Sequence, residues 1–195
     1  MKAIILLTTL KSTGVSNTET LVEFFTPYLE AQEVDVEVIK TIDYTIIPGT
    51  YIHMDRDDDW PSIYEKLTVA DIIIFATPIW WGNFSSETQK VIERLDEVND
   101  IIMSGTPSPL ANKAVGIIIT GDSDGSQHII GSLSNFVNGL GMFVPPFSSL
   151  SVQNEAHAKK ADTPKTTLLN IYQKEYGDTA QTMASQLALF TKRNK

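Results

Sequence analysis

The chain has 195 residues, of which 42% are hydrophobic and 20% charged, a composition that suits one globular domain spanning residues 1–195. Its formal net charge of -9 disfavours nucleic-acid and anionic-membrane partners, which need a basic surface. It contains no cysteine, which excludes disulfides, thiolate catalysis and cysteine-ligated iron–sulfur clusters. The apolar run at 4–7 is too short for a signal peptide or a membrane span, so we expect a cytoplasmic protein.

The chain opens with alternating strand-like and helix-like segments. Residues 3–8 form a β-branched and leucine-rich run that predicts a buried strand. From Asn17 onward, apolar residues recur at helical spacing, with Ser16 or Asn17 as the helix cap. Residues 34–39 alternate Val and Ile with acidic residues, as a half-exposed strand does. This pattern predicts a β-α-β start.

The same alternation continues to the end of the chain. A short helix at about 61–68 precedes the apolar run 71–76, which is typical of a central parallel strand covered on both faces. The pattern then predicts a helix over 85–98, a buried strand over 113–120, a helix over 126–140 closing on Gly141, a last strand at 143–144 or 147–152, and a mostly helical stretch over 163–192 that Gly177 interrupts. Five strands alternating with helices predict an α/β fold with a parallel, doubly wound sheet.

The first of three unusual loops covers residues 8–18, after the first predicted strand. In such sheets, ligands lie at the carboxyl ends of the strands. This loop combines hydroxyls, an amide, Lys11 and Gly14 at the start of a helix, where free backbone N–H groups favour a phosphate. It is neither a Walker A motif nor a Gly-x-Gly-x-x-Gly loop. Taken alone, a plain helix cap explains it equally well.

The second loop, residues 77–84, follows the apolar strand and contains Trp80, Trp81 and Phe84. Flat aromatic side chains beside Pro and Gly suit a planar ring system, and Asn83 with the backbone amides suits the polar edge of such a ring. A subunit interface is the alternative, because tryptophan is also enriched there, and both interpretations can hold together.

The third loop, residues 120–126, contains Gly121 and Gly125, which allow the backbone to approach a ligand closely. Its amides are suited to donate to a carbonyl or a developing anion. In isolation, a plain turn with a capping Ser126 explains it equally well.

Together these segments resemble the NAD(P)H-dependent FMN reductases of the flavodoxin-like superfamily, over roughly residues 1–146. The most specific match runs from Ala70-Asp71 through residues 77–82 to the helical stretch 90–96. Trp80 stands where the family usually has tyrosine, which keeps an aromatic platform but loses a hydroxyl. The resemblance implies a flavodoxin-like three-layer α/β/α sandwich with a five-stranded parallel sheet of order 2-1-3-4-5.

The resemblance also implies FMN as cofactor and a set of residues that hold it. The FMN phosphate is expected at Thr9, Lys11, Ser16, Asn17 and Thr18; the ring at Pro78, Ile79, Trp80, Trp81, Gly82 and Asn83; and the other border of the ring at Thr120, Gly121, Asp122 and Gly125. Lys11 stands where the family often has arginine, so its contact is a point charge and not a fork. Asp122 lies in a loop that is usually richer in glycine.

The function implied is transfer of hydride from NAD(P)H, as co-substrate, through FMN to a quinone, a flavin or another small acceptor. The flavin carries this chemistry, so no catalytic side chain and no metal are expected. A flavodoxin-type electron carrier without NAD(P)H activity is the alternative, and a module that has lost its flavin is a third. The relatives also suggest a homodimer or homotetramer.

Several charged residues outside these loops are predicted to be solvated or to form ion pairs. Residues 43–60 resemble the cluster region of iron–sulfur flavoproteins, but without cysteine the cluster is absent. The acidic run 55–59 is predicted to be a solvated helix cap, and Glu93, Arg94 and Asp96 are predicted to form ion pairs on the helix surface or between subunits. The histidines show no zinc spacing, although His128 is a weaker candidate for the flavin edge. Lys159 and Lys160 are predicted to be solvated.

Overall fold

A parallel β-sheet forms the centre of the molecule in the computed structural model, which describes residues 1–193. Its strands are β1 (Lys2–Leu7), β2 (Asp35–Lys40), β3 (Ile72–Pro78), β4 (Ala114–Gly121) and β5 (Ser149–Gln153). They pair in the order β2-β1-β3-β4-β5, and every pairing is parallel. The predicted flavodoxin-like sheet is confirmed. Asn194 and Lys195, the last residues of the predicted domain, lie outside the described residues.

In the described part of the chain, six helices connect and cover the strands: α1 (Asn17–Glu30), α2 (Trp60–Val69), α3 (Ser86–Arg94), α4 (Asp96–Met103), α5 (Ser126–Gly139) and α6 (Lys165–Arg193). Two short 3₁₀ turns, Thr41–Asp43 and Glu155–His157, follow β2 and β5. Within residues 1–193, none of the helices combines the length and the apolar character that crossing a bilayer requires.

Both faces of the sheet are buried. Ile5 and Ile74 belong to the core cluster beneath α1 and α6. Leu6 and Phe75, their neighbours in the strands, belong to the opposite cluster beneath the helices α2 to α5. Because successive side chains point to opposite faces, a strand covered on both sides must be apolar throughout, which explains the unbroken apolar runs in β1, β3 and β4.

The helix arrangement opens a crevice at the carboxyl edge of the sheet. The chain leaves β1 for α1 on one face and leaves β3 for α3 on the other, although β1 and β3 are neighbours. The two loops therefore diverge, and the space between them is the place where doubly wound proteins bind ligands.

Three details differ from the sequence-based expectations. The predicted helix over 85–98 is interrupted at Leu95, and α4 begins directly after it with Asp96 and Glu97 in its first turn, where acidic residues stabilise a new helix start. Gly177 does not interrupt α6. A Cβ atom at Gly177 would lie 3.4 Å from the Tyr28 hydroxyl, so this glycine lies where α6 packs on α1. The packing offsets the cost of about 1 kcal/mol that a glycine adds inside a helix.

The third detail is the last strand, for which the sequence left two positions open. Residues 149–153 form β5, which overlaps the predicted 147–152. In the other segment, Phe143 makes only an isolated bridge to Ala114. The capping prediction for α1 is resolved in favour of Ser16, whose hydroxyl accepts from the Glu19 amide, and Gly141 follows α5 with a φ of 82°.

A buried ion pair joins the loop before α2 to the end of α3. Arg94 Nη2 donates to Asp58 Oδ2 at 2.6 Å, and neither side chain is exposed to solvent. Arg94 also donates to the backbone carbonyls of Ile47, Tyr51 and Ile52 at 2.6 to 2.9 Å. The predictions of a solvated Asp58 and of a surface or subunit pair for Arg94 are wrong, because the loop 44–59 folds over both side chains.

The ionisation of Asp58 follows from these contacts. Burial by itself would raise the pKa of this carboxyl, but the Arg94 guanidinium and the amides of Trp60 and Ile47 donate to it and hold its pKa below the ordinary value. Asp58 is therefore charged at neutral pH, and its charge is compensated inside the protein.

Replacing Asp58 with Asn should destabilise the fold by roughly 3 kcal/mol, because the Arg94 charge loses its buried partner. The full decrease in the free energy of unfolding should be observed at pH 7. It should fade as the pH falls below about 3.9 and then through the lower folded-state pKa, since the wild-type carboxyl becomes protonated there. Urea unfolding at several pH values measures it. Glu37→Gln, which breaks the partly exposed pair with Lys66, should cost under about 1 kcal/mol, and equal losses in both variants would contradict this role.

Candidate functional site

A cleft with a volume of about 200 Å³ opens at the carboxyl edge of the sheet. The predicted site residues that line this cleft are Thr9, Lys11, Ser16, Asn17, Thr18, Pro78, Ile79, Trp80, Thr120, Gly121 and Asp122. Leu10, His157 and Lys159 also line it, and the sequence had assigned none of the three to the site. All three loops therefore meet in one cleft.

Four of the predicted residues do not line the cleft: Trp81, Gly82, Asn83 and Gly125. Trp80 and Asn83 exchange two backbone hydrogen bonds of 2.7 and 2.9 Å, so that Trp81 and Gly82 are the central residues of a tight turn. Their φ angles of 51° and 77° are those of a type I′ turn. Trp81 is 95% exposed. The remaining residue, Gly125, lies against this turn.

The contact at Gly125 holds the second and third loops together. A Cβ atom at Gly125 would lie 2.6 Å from the Gly82 Cα, and its φ of 137° is a conformation that other residues rarely adopt. On the outer side of the same turn, His128 Nε2 lies 3.0 Å from Asn83 Oδ1. His128 is thus bonded to the second loop, and it is not one of the residues lining the cleft.

The first loop presents backbone donors to the cleft. Within residues 1–193, the N–H groups of residues 12–18 have no protein acceptor. The Thr9 and Ser16 hydroxyls lie 2.9 Å apart, while Thr9 Oγ1 accepts from the Lys11 amide and Ser16 Oγ from the Glu19 amide. Only one of the two hydroxyls can donate to the other, so one hydroxyl hydrogen stays available to a ligand. This arrangement suits an anion.

Lys11 braces the same loop. Its Nζ donates to the Val15 carbonyl at 2.7 Å, which closes the loop on itself. An ammonium group has three donors, so the contact leaves two for a ligand or for water. Lys11 thus brings a positive charge to the anion-binding end of the cleft of an otherwise acidic protein.

Buried hydroxyl groups join the three loops beneath the cleft. Thr8 at the end of β1 lies 2.6 Å from Thr88 of α3, which also donates to Thr77 at the end of β3. Farther along the edge, Thr18 of α1 and Thr120 of β4 lie 2.7 Å apart. Satisfied buried hydrogen bonds of this kind restrain the groups that make them. Sequence reasoning assigned no such role to Thr8, Thr77 or Thr88, because the spacing of hydroxyl residues carries no signal for it.

His157 connects the segment after β5 to two other elements. Its Nδ1 donates to the Gly121 carbonyl at 3.1 Å, and its Nε2 accepts from the Tyr172 hydroxyl at 2.7 Å. Burial lowers the pKa of His157, which favours the neutral ring that these contacts require. The His157 carbonyl accepts from Asn17 Nδ2 at 3.1 Å. No sequence signal marks a contact between residues 140 positions apart.

Comparison with known proteins gives a family match and individual relatives. The model of the NADPH-dependent FMN reductase family matches residues 1–157. The 8-demethyl-8-aminoriboflavin-5'-phosphate synthase of Streptomyces davaonensis is 33% identical over 156 residues, which cover 75% of this chain and 61% of that protein. The chain thus spans about three fifths of the length of this relative. An iron–sulfur flavoprotein of Methanosarcina thermophila is 30% identical over 90 residues, 45% of this chain and 44% of its own.

Solved structures share the fold. RosB with bound 8-demethyl-8-formylriboflavin-5'-phosphate superposes with a TM-score of 0.81 at 25% identity, covering 99% of this chain and 79% of RosB. A flavone reductase superposes with a TM-score of 0.72 at 16% identity, covering 98% of this chain and 63% of that one. At the lower identity, the likeness extends to the fold alone.

Gly125→Ala should destabilise the protein by about 2 kcal/mol or more, because the new methyl group collides with the Gly82 backbone and strains a positive φ. Gly131→Ala is the matched control. It lies inside α5 with open space around it, and it should stabilise the helix by roughly 0.5–1 kcal/mol. Urea unfolding followed by circular dichroism measures both. A neutral or stabilising effect of Gly125→Ala would show that the two loops do not need this contact.

Proposed function

Because the chain belongs to the NADPH-dependent FMN reductase family, we propose that this flavin-dependent oxidoreductase, whose cofactor is FMN, passes hydride from NAD(P)H to a small acceptor such as a quinone or another flavin. The observation that carries the proposal is that the anion-binding first loop and the aromatic side chain of Trp80 line the same cleft. When bound, FMN supplies the hydride-transfer chemistry.

The first loop fits the phosphate of FMN. A phosphate monoester carries nearly two negative charges and accepts several hydrogen bonds. The free N–H groups of residues 12–18, the free hydroxyl hydrogen of the Thr9–Ser16 pair and the Lys11 ammonium supply donors and positive charge at the amino end of α1. We therefore assign the phosphate-binding role to Thr9, Lys11, Ser16, Asn17 and Thr18.

The second and third loops fit a planar ring. Ile79 packs against Gly121 so closely that a Cβ at Gly121 would lie 2.8 Å from the Ile79 side chain, so the second and third loops meet here because residue 121 is glycine. Trp80 is 44% exposed and lines the cleft, which leaves its indole available for contact with a ring. The ring-binding role belongs in this proposal to residues 78–83, 120–122 and Gly125, with Trp81, Gly82, Asn83 and Gly125 holding the wall.

The side chains of the cleft position the reactants and need not transfer protons. Both ring nitrogens of His157 are already bonded to Gly121 and Tyr172, so this histidine has no free proton donor for the cleft. Asp122 is exposed at the rim, where solvent screens its charge from the ring. This arrangement is consistent with an enzyme in which the cofactor carries the chemistry.

A second candidate function is chemistry on the flavin phosphate itself. It is favoured by the 33% identity to the 8-demethyl-8-aminoriboflavin-5'-phosphate synthase and by the similarity to RosB with its bound flavin intermediate. The two candidates share the cofactor site and differ in whether the flavin leaves the site unchanged.

Anaerobic addition of NADH or NADPH to the FMN-loaded protein should bleach the visible flavin bands, and an added quinone should restore them. The control is the same FMN-loaded protein without added NADH or NADPH, followed over the same time. If neither nucleotide reduces the flavin while dithionite does, the proposed reaction is wrong, and an unchanged flavin then favours a flavodoxin-type carrier. Mass spectrometry of the released flavin separates the second candidate, which requires a changed mass.

We also propose that a second copy of the chain closes the cleft beside the Trp80–Asn83 turn. Trp81 supports this, because a tryptophan that is 95% exposed beside the cleft would gain from burial in an interface. The proposal is a homodimer or homotetramer in which the neighbour covers this turn.

Trp81→Asn should weaken self-association by about tenfold or more in sedimentation-equilibrium measurements, because it removes a large apolar contact. Asparagine tolerates the positive φ of this position, so the turn itself should survive. Phe147→Asn is the matched control, since Phe147 is 73% exposed, has a φ of 59° and precedes the amino end of β5. A monomeric wild type, or equal effects of both variants, would contradict an interface at Trp81.

A further inference from the structure

We infer that Lys159 is a second phosphate-binding lysine of the FMN site, supplied by the segment that follows β5. The inference rests on the proposed placement of the FMN phosphate at the first loop and extends it to a residue more than 140 positions away in the sequence. Lys159 lines the same cleft as Lys11 and Asn17.

The backbone leading to Lys159 is held at the cleft by hydrogen bonds. The Asn154 amide donates to the Gly121 carbonyl at 2.9 Å, which attaches the start of the segment to the end of β4. Asn154 Oδ1 then accepts from the Ala156 amide and caps the 3₁₀ turn Glu155–His157. The segment therefore leaves β5 in a defined direction, across the carboxyl edge of the sheet.

His157 joins the same segment to the amino end of α1. Its carbonyl accepts from the side chain of Asn17, the first residue of α1, and its ring is bonded to Gly121 and Tyr172. Only one residue separates His157 from Lys159. The backbone next to Lys159 is thus anchored to the amino end of α1, and the Lys159 side chain lines the cleft that the first loop also lines.

The charge of Lys159 is available for a ligand. Five other lysines of the chain, Lys2, Lys40, Lys66, Lys90 and Lys165, are paired with glutamates at 2.5 to 3.1 Å. Within residues 1–193, the Lys159 ammonium has neither an ion pair nor a hydrogen bond to protein. Asp122, the carboxylate that also lines the cleft, is exposed. A phosphate monoester carries nearly two negative charges, whereas Lys11 supplies one positive charge, so a second cation would add to its binding.

Lys160 is the natural control for Lys159. It is the adjacent residue, it is equally exposed and basic, and it does not line the cleft. A comparison of Lys159→Ala with Lys160→Ala therefore separates a local contact from the general effect of removing one positive charge from an acidic protein.

The test measures dissociation constants of FMN and of riboflavin for the full chain by quenching of flavin fluorescence. Riboflavin has the same ring without the phosphate. Lys159→Ala should weaken FMN binding roughly three- to fivefold, as expected for one partly exposed charge contact, and leave riboflavin binding unchanged. Lys159→Glu should weaken FMN binding further, by roughly tenfold or more. Lys160→Ala should change neither constant by more than about 1.5-fold.

Three results would decide against this role. Equal FMN affinities of the Lys159→Ala and Lys160→Ala variants would show that Lys159 makes no phosphate contact. An equal loss of FMN and riboflavin affinity would show that Lys159 supports the structure of the cleft and does not bind phosphate. If the wild type itself binds FMN no more tightly than riboflavin, the phosphate site at the first loop is wrong, and the proposed function fails with it.

Discussion

The divergence of the chain after β1 and β3 is the constraint on which the rest of this structure depends. The two strands are hydrogen-bonded neighbours, yet one is followed by a helix on one face of the sheet and the other by a helix on the opposite face. The divergence follows from burial, because both faces of an apolar parallel sheet must be covered. The cleft is thus a consequence of how the core is built, and the loops around it decide what it binds.

Polar contacts keep the loops around this cleft in place. The Thr8, Thr77 and Thr88 hydroxyls connect the first and second loops, and the Gly125–Gly82 contact connects the second and third. The Asp58–Arg94 pair holds the loop 44–59 to the end of α3. The threonine hydroxyls and the Asp58–Arg94 pair are buried, so removing one partner would leave an unsatisfied polar group or an uncompensated charge. A cleft built in this way is organised before its ligand arrives, which lowers the cost of ordering on binding.

Residues close in sequence were assigned correctly far more often than residues brought together by folding. The N-cap at Ser16, the end of α5 shortly before Gly141 and the continuous burial of β3 all follow from local patterns. Arg94 was misassigned because its position on an amphipathic helix does not reveal that residues 44–59 fold over it. Lys159 is exposed, as predicted, but an exposed lysine pair has the same sequence signature whether or not a cleft lies beside it.

The sequence by itself determined the sheet and the ligand-facing edge of this protein, because apolar periodicity and the loops after strand ends are local properties of the chain. Its motifs also carried the family resemblance and the choice of FMN. Only the tertiary structure decided which residues from distant parts of the sequence line the cleft. His157 and Lys159 reach it because the segment after β5 is hydrogen-bonded to Gly121 and to Asn17, a contact that exists only once the sheet has formed.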